Sequence, residues 1–187
     1  WLVSDLDPQM MIDPLPGFHI TPGYLNKYDA TLAEVPLAQN RLNASMEARR
    51  MAMFIEERRG FAATLQKALD AGELKLRMMH GDPKVNNILI DDFTGKGTAV
   101  IDLDTVSPGL IHYDFGDALR SICNHAGEDE QNLSKVVFDL DLCAAFCKGY
   151  MTHARSFLTE ADRKYLYDAI RLITFELGLR FFQDYLA

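Results

Sequence analysis

The stretch from residue 74 to residue 104 constrains the fold most strongly, because short β-rich runs surround one polar loop there. LKLRMM, residues 74–79, alternates apolar and basic side chains and predicts a short strand. It leads into HGDPKVNN, residues 80–87, which we call the polar loop. ILI and TAVIDLD follow, and the residues between them supply Asp and Gly for a turn, so a β-hairpin is predicted after the loop.

The start of the chain is rich in proline. Five of the seven prolines lie in the first 36 residues, and each removes a backbone donor. Residues 1–40 are therefore predicted to form an irregular lead and connector. The chain begins at Trp1 and stops inside an apolar helical pattern, so we expect it to be part of something longer.

Helices are expected to dominate the rest. Apolar residues at spacings of three, four and seven predict one long amphipathic helix from Asn43 to near Gly72. Further helices are predicted over 115–124, about 131–151 and 160–187. The predicted fold class is α+β, mostly helical with a small β-hairpin unit that carries the polar loop, and residues 41–187 are expected to form a single domain.

Composition excludes several partners. The net charge is -8 and the pI is near 5.0. This argues against nucleic acid or an anionic membrane as a binding partner, since both bind positively charged protein surfaces. The acidic surface fits either a cationic substrate or plain solubility. An odd number of only three cysteines predicts no disulfide framework and favours a reducing, cytoplasmic location. No run of 18 apolar residues is present, so no membrane span is predicted.

The polar loop has the spacing of a phosphoryl-transfer site. His80, Asp82 and Asn87 are in register with the H-R-D-L-x-x-x-N pattern of protein-kinase catalytic loops. Such a reaction needs a positioned acceptor hydroxyl and metal ions that neutralise phosphate charge. Asp82 is predicted to accept the hydroxyl proton, and Asn87 to offer its amide oxygen to Mg²⁺. Lys84 is predicted to stabilise the transferring phosphoryl group, and His80 to orient the loop.

The same chemistry requires a second metal carboxylate nearby. Asp102 closes the apolar run TAVI, and pairing of residues 88–90 with residues 100–102 would bring it to the same end of the hairpin as Asn87. Asp104 lies two residues further, on the same face if the strand continues. It is a candidate for a second metal or a substrate hydroxyl, and alternatively a plain solvated carboxylate.

Other charged residues have a structural alternative beside a functional one. Asp114, followed by Asp117, resembles a helix N-cap with an acidic third position. Glu176 and Arg180 are four apart on an apolar helix, which predicts that they pair with each other, although they could also line a substrate pocket. Four histidines stand alone and are given no catalytic role: His19, His112, His125 and His153.

The strings HGDPKVNNILI and AVIDLDTVSPGLIHYDFGDALRSI resemble the C-terminal lobe of the aminoglycoside phosphotransferase and choline kinase superfamily. Within this superfamily the chain is most similar to N-acetylhexosamine 1-kinases, through the segments IDLDTVSPGL, YDFGDALR and ELGLRFFQDYL. The segment GFHITP gives weaker support. The likeness covers roughly residues 17–187 and is most specific over 80–120. It implies a sugar substrate, with ATP as phosphoryl donor and Mg²⁺ as cofactor.

Carried over by position, the resemblance implies Asp82 as catalytic base and Asn87 and Asp102 as ligands of Mg²⁺ and the nucleotide. It implies that Asp114 braces the polar loop. No glycine-rich phosphate loop or strand lysine is visible upstream, so the nucleotide-binding N-terminal lobe is expected to be a missing partner, and residues 1–187 alone are expected to be inactive. An aminoglycoside, choline or amino-alcohol acceptor, or a non-catalytic pseudokinase, remains the alternative.

Overall fold

A computed structural model describes residues 6–187. The fold is mostly helical, with two separate two-stranded antiparallel sheets, which confirms the predicted α+β class. Its α-helices are α1 Thr21–Glu34, α2 Pro36–Ala44, α3 Met46–Arg58, α4 Thr64–Asp70, α5 Ile111–Ile122, α6 Leu140–Ala154, α7 Glu160–Lys164 and α8 Leu166–Leu186. Its strands are β1 Arg77–Met79, β2 Ile88–Ile90, β3 Gly97–Val100 and β4 Ser107–Gly109.

The lead is less irregular than predicted. Residues 6–20 hold only the short 3₁₀ turn Pro8–Met10, but α1 and α2 occupy residues where an irregular connector was expected. Pro22 and Pro36 lie in the first turns of these helices, where the backbone N–H that proline lacks would have no helical partner. The prediction for residues 1–5 lies outside the described residues.

The long helix predicted from residue 43 to residue 72 is wrong, since the chain divides into α2, α3 and α4. Ser45 starts α3, because its hydroxyl accepts the backbone N–H of Ala48 at 3.2 Å. The chain then turns between α3 and α4. Ile55 before this turn and Leu65 after it pack in two different hydrophobic clusters, which one straight helix would not reach.

The two sheets hold the ends of the polar loop. β1 pairs with β4, with Arg77 opposite Gly109. β2 pairs with β3 and forms the predicted hairpin, but Val100 stands opposite Ile88 and not opposite Ile90. The predicted register is therefore wrong by two residues at Ile88, since β3 ends before Asp102, and by three at Ile90, since a bulge follows Leu89.

The helix predicted from about residue 131 begins later than expected. A 3₁₀ turn covers Leu133–Lys135, and α6 begins only at Leu140. Asp139 sets this start, since its carboxylate accepts the backbone N–H groups of Asp141 and Leu142, both at 2.9 Å. Between residues 6 and 187, no helix is both long and apolar enough to cross a membrane.

The core is centred on the crossing of α5 and α8. Gly116 of α5 lies so close to α8 that a Cβ atom there would stand 2.6 Å from the carbonyl oxygen of Ala169. Leu172 and Ile173 of α8 are buried beside this contact. The crossing matters for the site because the residues that surround the polar loop come from these two helices.

Replacing Gly116 by Ala should destabilise the fold by about 1–3 kcal/mol, since the new methyl group meets rigid backbone. Gly178→Ala in α8 is the matched control, because nothing lies within 4 Å of its Cβ position. This control should stabilise the helix by roughly 0.5–1 kcal/mol. Thermal unfolding of both variants measures the difference, and equal melting temperatures would contradict the close approach.

Candidate active site

The polar loop is anchored to helix α5 by a carboxylate. Asp114 accepts the backbone N–H of His80 at 2.7 Å and that of Gly81 at 2.8 Å. Asp114 is not an N-cap, because α5 begins at Ile111 and its cap position is Leu110. Burial raises the pKa of Asp114, and the two backbone donors oppose that rise. The geometry is that of a brace for the loop.

The loop is equally tight on the hairpin side. Gly81 has φ +87°, and a Cβ there would lie 2.7 Å from the carbonyl oxygen of Thr105. The Thr105 hydroxyl donates to the His80 carbonyl at 2.7 Å. The His80 ring Nε2 lies 3.1 Å from the carbonyl oxygen of Ile101. His80 therefore orients the loop through its ring and its backbone, and glycine is required at the next position.

Three of the predicted residues meet at the Asp82 carboxylate. Lys84 Nζ lies 2.6 Å from Asp82 Oδ2, and the Asn87 amide nitrogen donates to the same oxygen at 3.1 Å and to the Asp82 carbonyl at 2.8 Å. The hydrogen bond to Asp82 raises the pKa of Lys84, so the ammonium stays charged. Both donors converge on one oxygen of a partly exposed carboxylate.

Asp102 lies beside Asn87 through the backbone. The N–H of Ile101 donates to the Asn87 carbonyl at 2.9 Å, and Asp102 then takes a left-handed conformation with φ +64°. Among residues 6–187, no hydrogen bond or ion pair is made to its carboxylate. Asp104 belongs to the 3₁₀ turn Leu103–Thr105 and is exposed. The prediction that it shares a strand face with Asp102 is therefore wrong.

The donor set fits a bound Mg²⁺ ion. The Asn87 amide points its nitrogen at Asp82, which leaves its oxygen for other partners. That oxygen and the unpaired Asp102 carboxylate are hard ligands. Within the described residues no three His, Cys, Asp or Glu side chains are arranged to hold a metal. Mg²⁺ usually needs only one or two carboxylates, with phosphate oxygens and water completing its shell.

A cavity of about 260 Å³ opens beside Asp82 and Lys84, and Glu176 and Arg180 of α8 line its far wall. The predicted pairing of these two residues is wrong. Glu176, 1% exposed, accepts the Thr21 hydroxyl at 2.7 Å and contacts His19 at 2.9 Å. The guanidinium of Arg180 instead lies between two aromatic rings, 5.6 Å from that of Phe18 and 5.3 Å from that of Tyr24.

The charges of Asp117 and Glu176 in the cavity wall already have partners, although Asp117 Oδ2 has no hydrogen-bond partner among residues 6–187. Asp117 Oδ1 accepts Arg120 Nε at 3.0 Å and Nη2 at 2.7 Å, and Arg120 also pairs with Glu128. Burial raises the pKa of Asp117. Across residues 6–187, no carboxylate lies within ion-pair distance of Arg180. Among the described residues that line the cavity, Arg180 is therefore a cation with no ion-pair partner.

Sequence reasoning missed His19, Asp117 and Arg120, all of which line this cavity. His19 was treated as a lone histidine, although GFHITP already stood out as a motif. The YDFGDALR string contains Asp117 and Arg120 three residues apart, a spacing that would have predicted a helical ion pair. Nothing in the local pattern tells that the pair faces Asp82.

The model of the phosphotransferase enzyme family (APH) matches residues 6–153. A solved structure, that of an aminoglycoside-3'-phosphotransferase of type VIII, is similar with 21% sequence identity and a TM-score of 0.49. The alignment covers 93% of this chain and 56% of that one, so the chain spans just over half the length of that structure. Since the family model matches well over half of its residues, the chain belongs to the phosphotransferase enzyme family.

Proposed function

We propose that this chain is the C-terminal lobe of an ATP-dependent small-molecule kinase, with Asp82 as its catalytic base. The observation that carries the proposal is the convergence of Lys84 and Asn87 on the Asp82 carboxylate at the mouth of a cavity. Membership of the phosphotransferase family supports the same reaction class. The rest of the nucleotide site is assigned to an N-terminal lobe, and a cytoplasmic location is proposed because the three cysteines form no disulfide among residues 6–187.

In the proposed reaction the acceptor hydroxyl enters the cavity and donates a hydrogen bond to Asp82. As the hydroxyl oxygen attacks the γ-phosphorus in line, its proton passes to the Asp82 carboxylate, the bond from phosphorus to the β,γ-bridging oxygen breaks, and ADP leaves. Lys84 then has two roles, since it holds the carboxylate and places an ammonium beside the transferring group. Asn87 and Asp102 would hold Mg²⁺, which neutralises the charge of the nucleotide phosphates when it is bound.

The charge distribution of the cavity favours a neutral, hydroxyl-rich acceptor, for which we propose an N-acetylhexosamine or a related sugar. Cationic acceptors such as aminoglycosides or choline need a carboxylate that is free to pair with them. Here Arg120 and His19 already offset the charges of Asp117 and Glu176, so the unpartnered Asp117 Oδ2 serves to accept a hydroxyl, and Arg180 presents a donor fork. Arg180 suits a carbonyl, hydroxyl or anionic group. The volume of about 260 Å³ lies just below the usual size of ligand pockets, which favours a small acceptor over an aminoglycoside.

An acceptor panel with labelled ATP on the full-length protein tests this proposal. N-acetylhexosamines and other neutral monosaccharides should be phosphorylated, whereas choline and aminoglycosides should give kcat/KM values at least roughly 10²-fold lower, the effect of about 3 kcal/mol. Preferred transfer to a cationic acceptor would contradict the sugar assignment. Nucleotide binding with no transfer to any acceptor would favour the pseudokinase alternative.

Arg180→Ala should raise the KM for the acceptor about tenfold and leave the KM for ATP unchanged. The reason is that the substitution removes the uncompensated donor of the cavity wall, worth roughly 1–2 kcal/mol to a neutral ligand. Arg171→Ala is the matched control, because Arg171 lies on the same helix over the ring of Phe61, outside this cavity. If both variants keep the wild-type KM for the acceptor, Arg180 does not contact it.

A further inference from the structure

His19 joins the polar loop to helix α8. Its side chain is buried, with 4% of its surface exposed. Ring Nδ1 lies 2.9 Å from Glu176 Oε1, and ring Nε2 lies 2.7 Å from the carbonyl oxygen of Gly81. Gly81 directly precedes Asp82. One imidazole ring therefore bridges the backbone of the loop and a carboxylate that is 157 residues away in the chain.

Both partners of this ring are acceptors. A carbonyl oxygen cannot donate, and an ionised carboxylate cannot donate either. A neutral imidazole carries a single N–H group, so it could satisfy only one of the two contacts. Two arrangements supply the second proton: an imidazolium beside a carboxylate, or a neutral ring beside a protonated Glu176. The Thr21 hydroxyl donates to Glu176 Oε2 at 2.7 Å, which favours the ionised carboxylate.

The surroundings of His19 are predominantly acidic. The titratable and charged groups that face it are Asp82 in the polar loop, Tyr24 on α1, Tyr113, Asp114 and Asp117 on α5, and Glu176 and Arg180 on α8. Burial lowers the pKa of His19. The hydrogen bond and charge of Glu176, the Gly81 carbonyl and the charge of Asp117 outweigh burial, so the net direction is upward.

We propose that His19 is held as an imidazolium and is a positioning residue, which fixes the Gly81–Asp82 peptide against Glu176 of helix α8. Its backbone agrees with such a constraint, since φ is +60°, a left-handed conformation that is uncommon for histidine. The charge state proposed for His19 does not depend on whether this protein is a kinase. Its effect on catalysis rests on the kinase function proposed above.

Ring ¹⁵N NMR on the ¹⁵N-labelled full-length protein at about pH 7.5 tests the charge directly. A histidine of unperturbed pKa near 6.5 is about 90% neutral there. The His19 signal, assigned by its loss in His19→Gln, should show protons on both ring nitrogens. His112 is the internal comparator, because its ring is buried with Nε2 near the Asp162 carbonyl, and burial lowers its pKa. A bare Nδ1 on His19 would overturn the proposal.

Kinetics test the positioning role. His19→Gln should lower kcat roughly 10-fold to 100-fold, the scale of a misplaced reacting group, with the KM for ATP unchanged. His112→Gln, the same change at another buried ring, should keep the wild-type kcat. If kcat depends on the imidazolium, it should fall as the pH rises through the pKa of His19. Glu176→Gln keeps the shape of the side chain but removes the carboxylate that raises this pKa, so the fall should move to lower pH. Wild-type kcat in His19→Gln would overturn the positioning role.

Stability has a defined pH dependence. Because the folded-state pKa of His19 lies above its unfolded value, its contribution is fully present below about pH 6.5 and disappears as the pH rises through the folded-state value. The difference in unfolding free energy between wild type and His19→Gln should shrink in that direction. A difference that does not change with pH would contradict the imidazolium. Failure of every acceptor with an intact NMR result would instead refute the kinase proposal.

Discussion

Asp82→Asn in the full-length enzyme should lower kcat by about 10²-fold to 10⁴-fold, the usual contribution of a general base. The amide keeps the size of the carboxylate, but it has no basic oxygen to take the hydroxyl proton. It also loses the charge that holds Lys84 at 2.6 Å. The KM for ATP should stay nearly the same, because Asn87 keeps its hydrogen bond to the Asp82 backbone carbonyl and Asp102 is unchanged. Steady-state kinetics with the best acceptor measures both constants.

Asp92→Asn supplies the matched control for that experiment. It makes the same chemical change at an exposed position in the turn of the hairpin, away from the cavity. It should leave kcat and KM at wild-type values. Wild-type turnover in Asp82→Asn would remove the base assignment altogether.

Asp114→Asn should lower both activity and stability. The carboxylate of Asp114 accepts two backbone N–H groups, and an amide can offer only one oxygen while its nitrogen faces the other donor. A buried donor without a partner costs roughly 1–3 kcal/mol. The loop that carries Asp82 should then shift, and kcat should fall about 10²-fold. Thermal unfolding and kinetics of the same preparation give the two effects.

Asp141→Asn separates loop bracing from a helix-terminus effect. Asp141, like Asp114, is an acidic residue in the first turn of its helix, but it is exposed. It should lose only the small interaction with the helix dipole, about 0.3–1 kcal/mol, and keep full activity. If the two variants behave alike, Asp114 stabilises its helix and does not brace the loop.

The predicted site residues that are close in sequence do lie together in the structure. Asp82, Lys84 and Asn87 lie within six residues, and a loop of that length between a strand and a hairpin brings such side chains together. Asp102 was predicted by the same logic, although the predicted register of the hairpin was wrong. The alternation of apolar and polar residues does not predict the bulge after Leu89 or the left-handed conformation of Asp102.

The site was predicted poorly where its residues are far apart in sequence. Glu176 and Arg180 were expected to pair because they are four residues apart on one helix. Instead Glu176 contacts His19, and Arg180 lies over the ring of Phe18. A buried carboxylate takes whichever donors the packing supplies, and here these are His19 and Thr21. The prolines of the first 36 residues were taken to predict an irregular segment. Pro22 and Pro36 instead lie in the first turn of a helix, where proline is tolerated.

The sequence by itself determined the fold class, the polar loop and the reaction class, because these depend on residue type and short spacing. Only the tertiary structure decided which charges remain free in the cavity, leaving Arg180 uncompensated and Glu176 satisfied. It also placed His19 between Gly81 and Glu176. The physical reason is that charge compensation and protonation depend on contacts through space, which packing of α1, α5 and α8 creates and no local pattern contains.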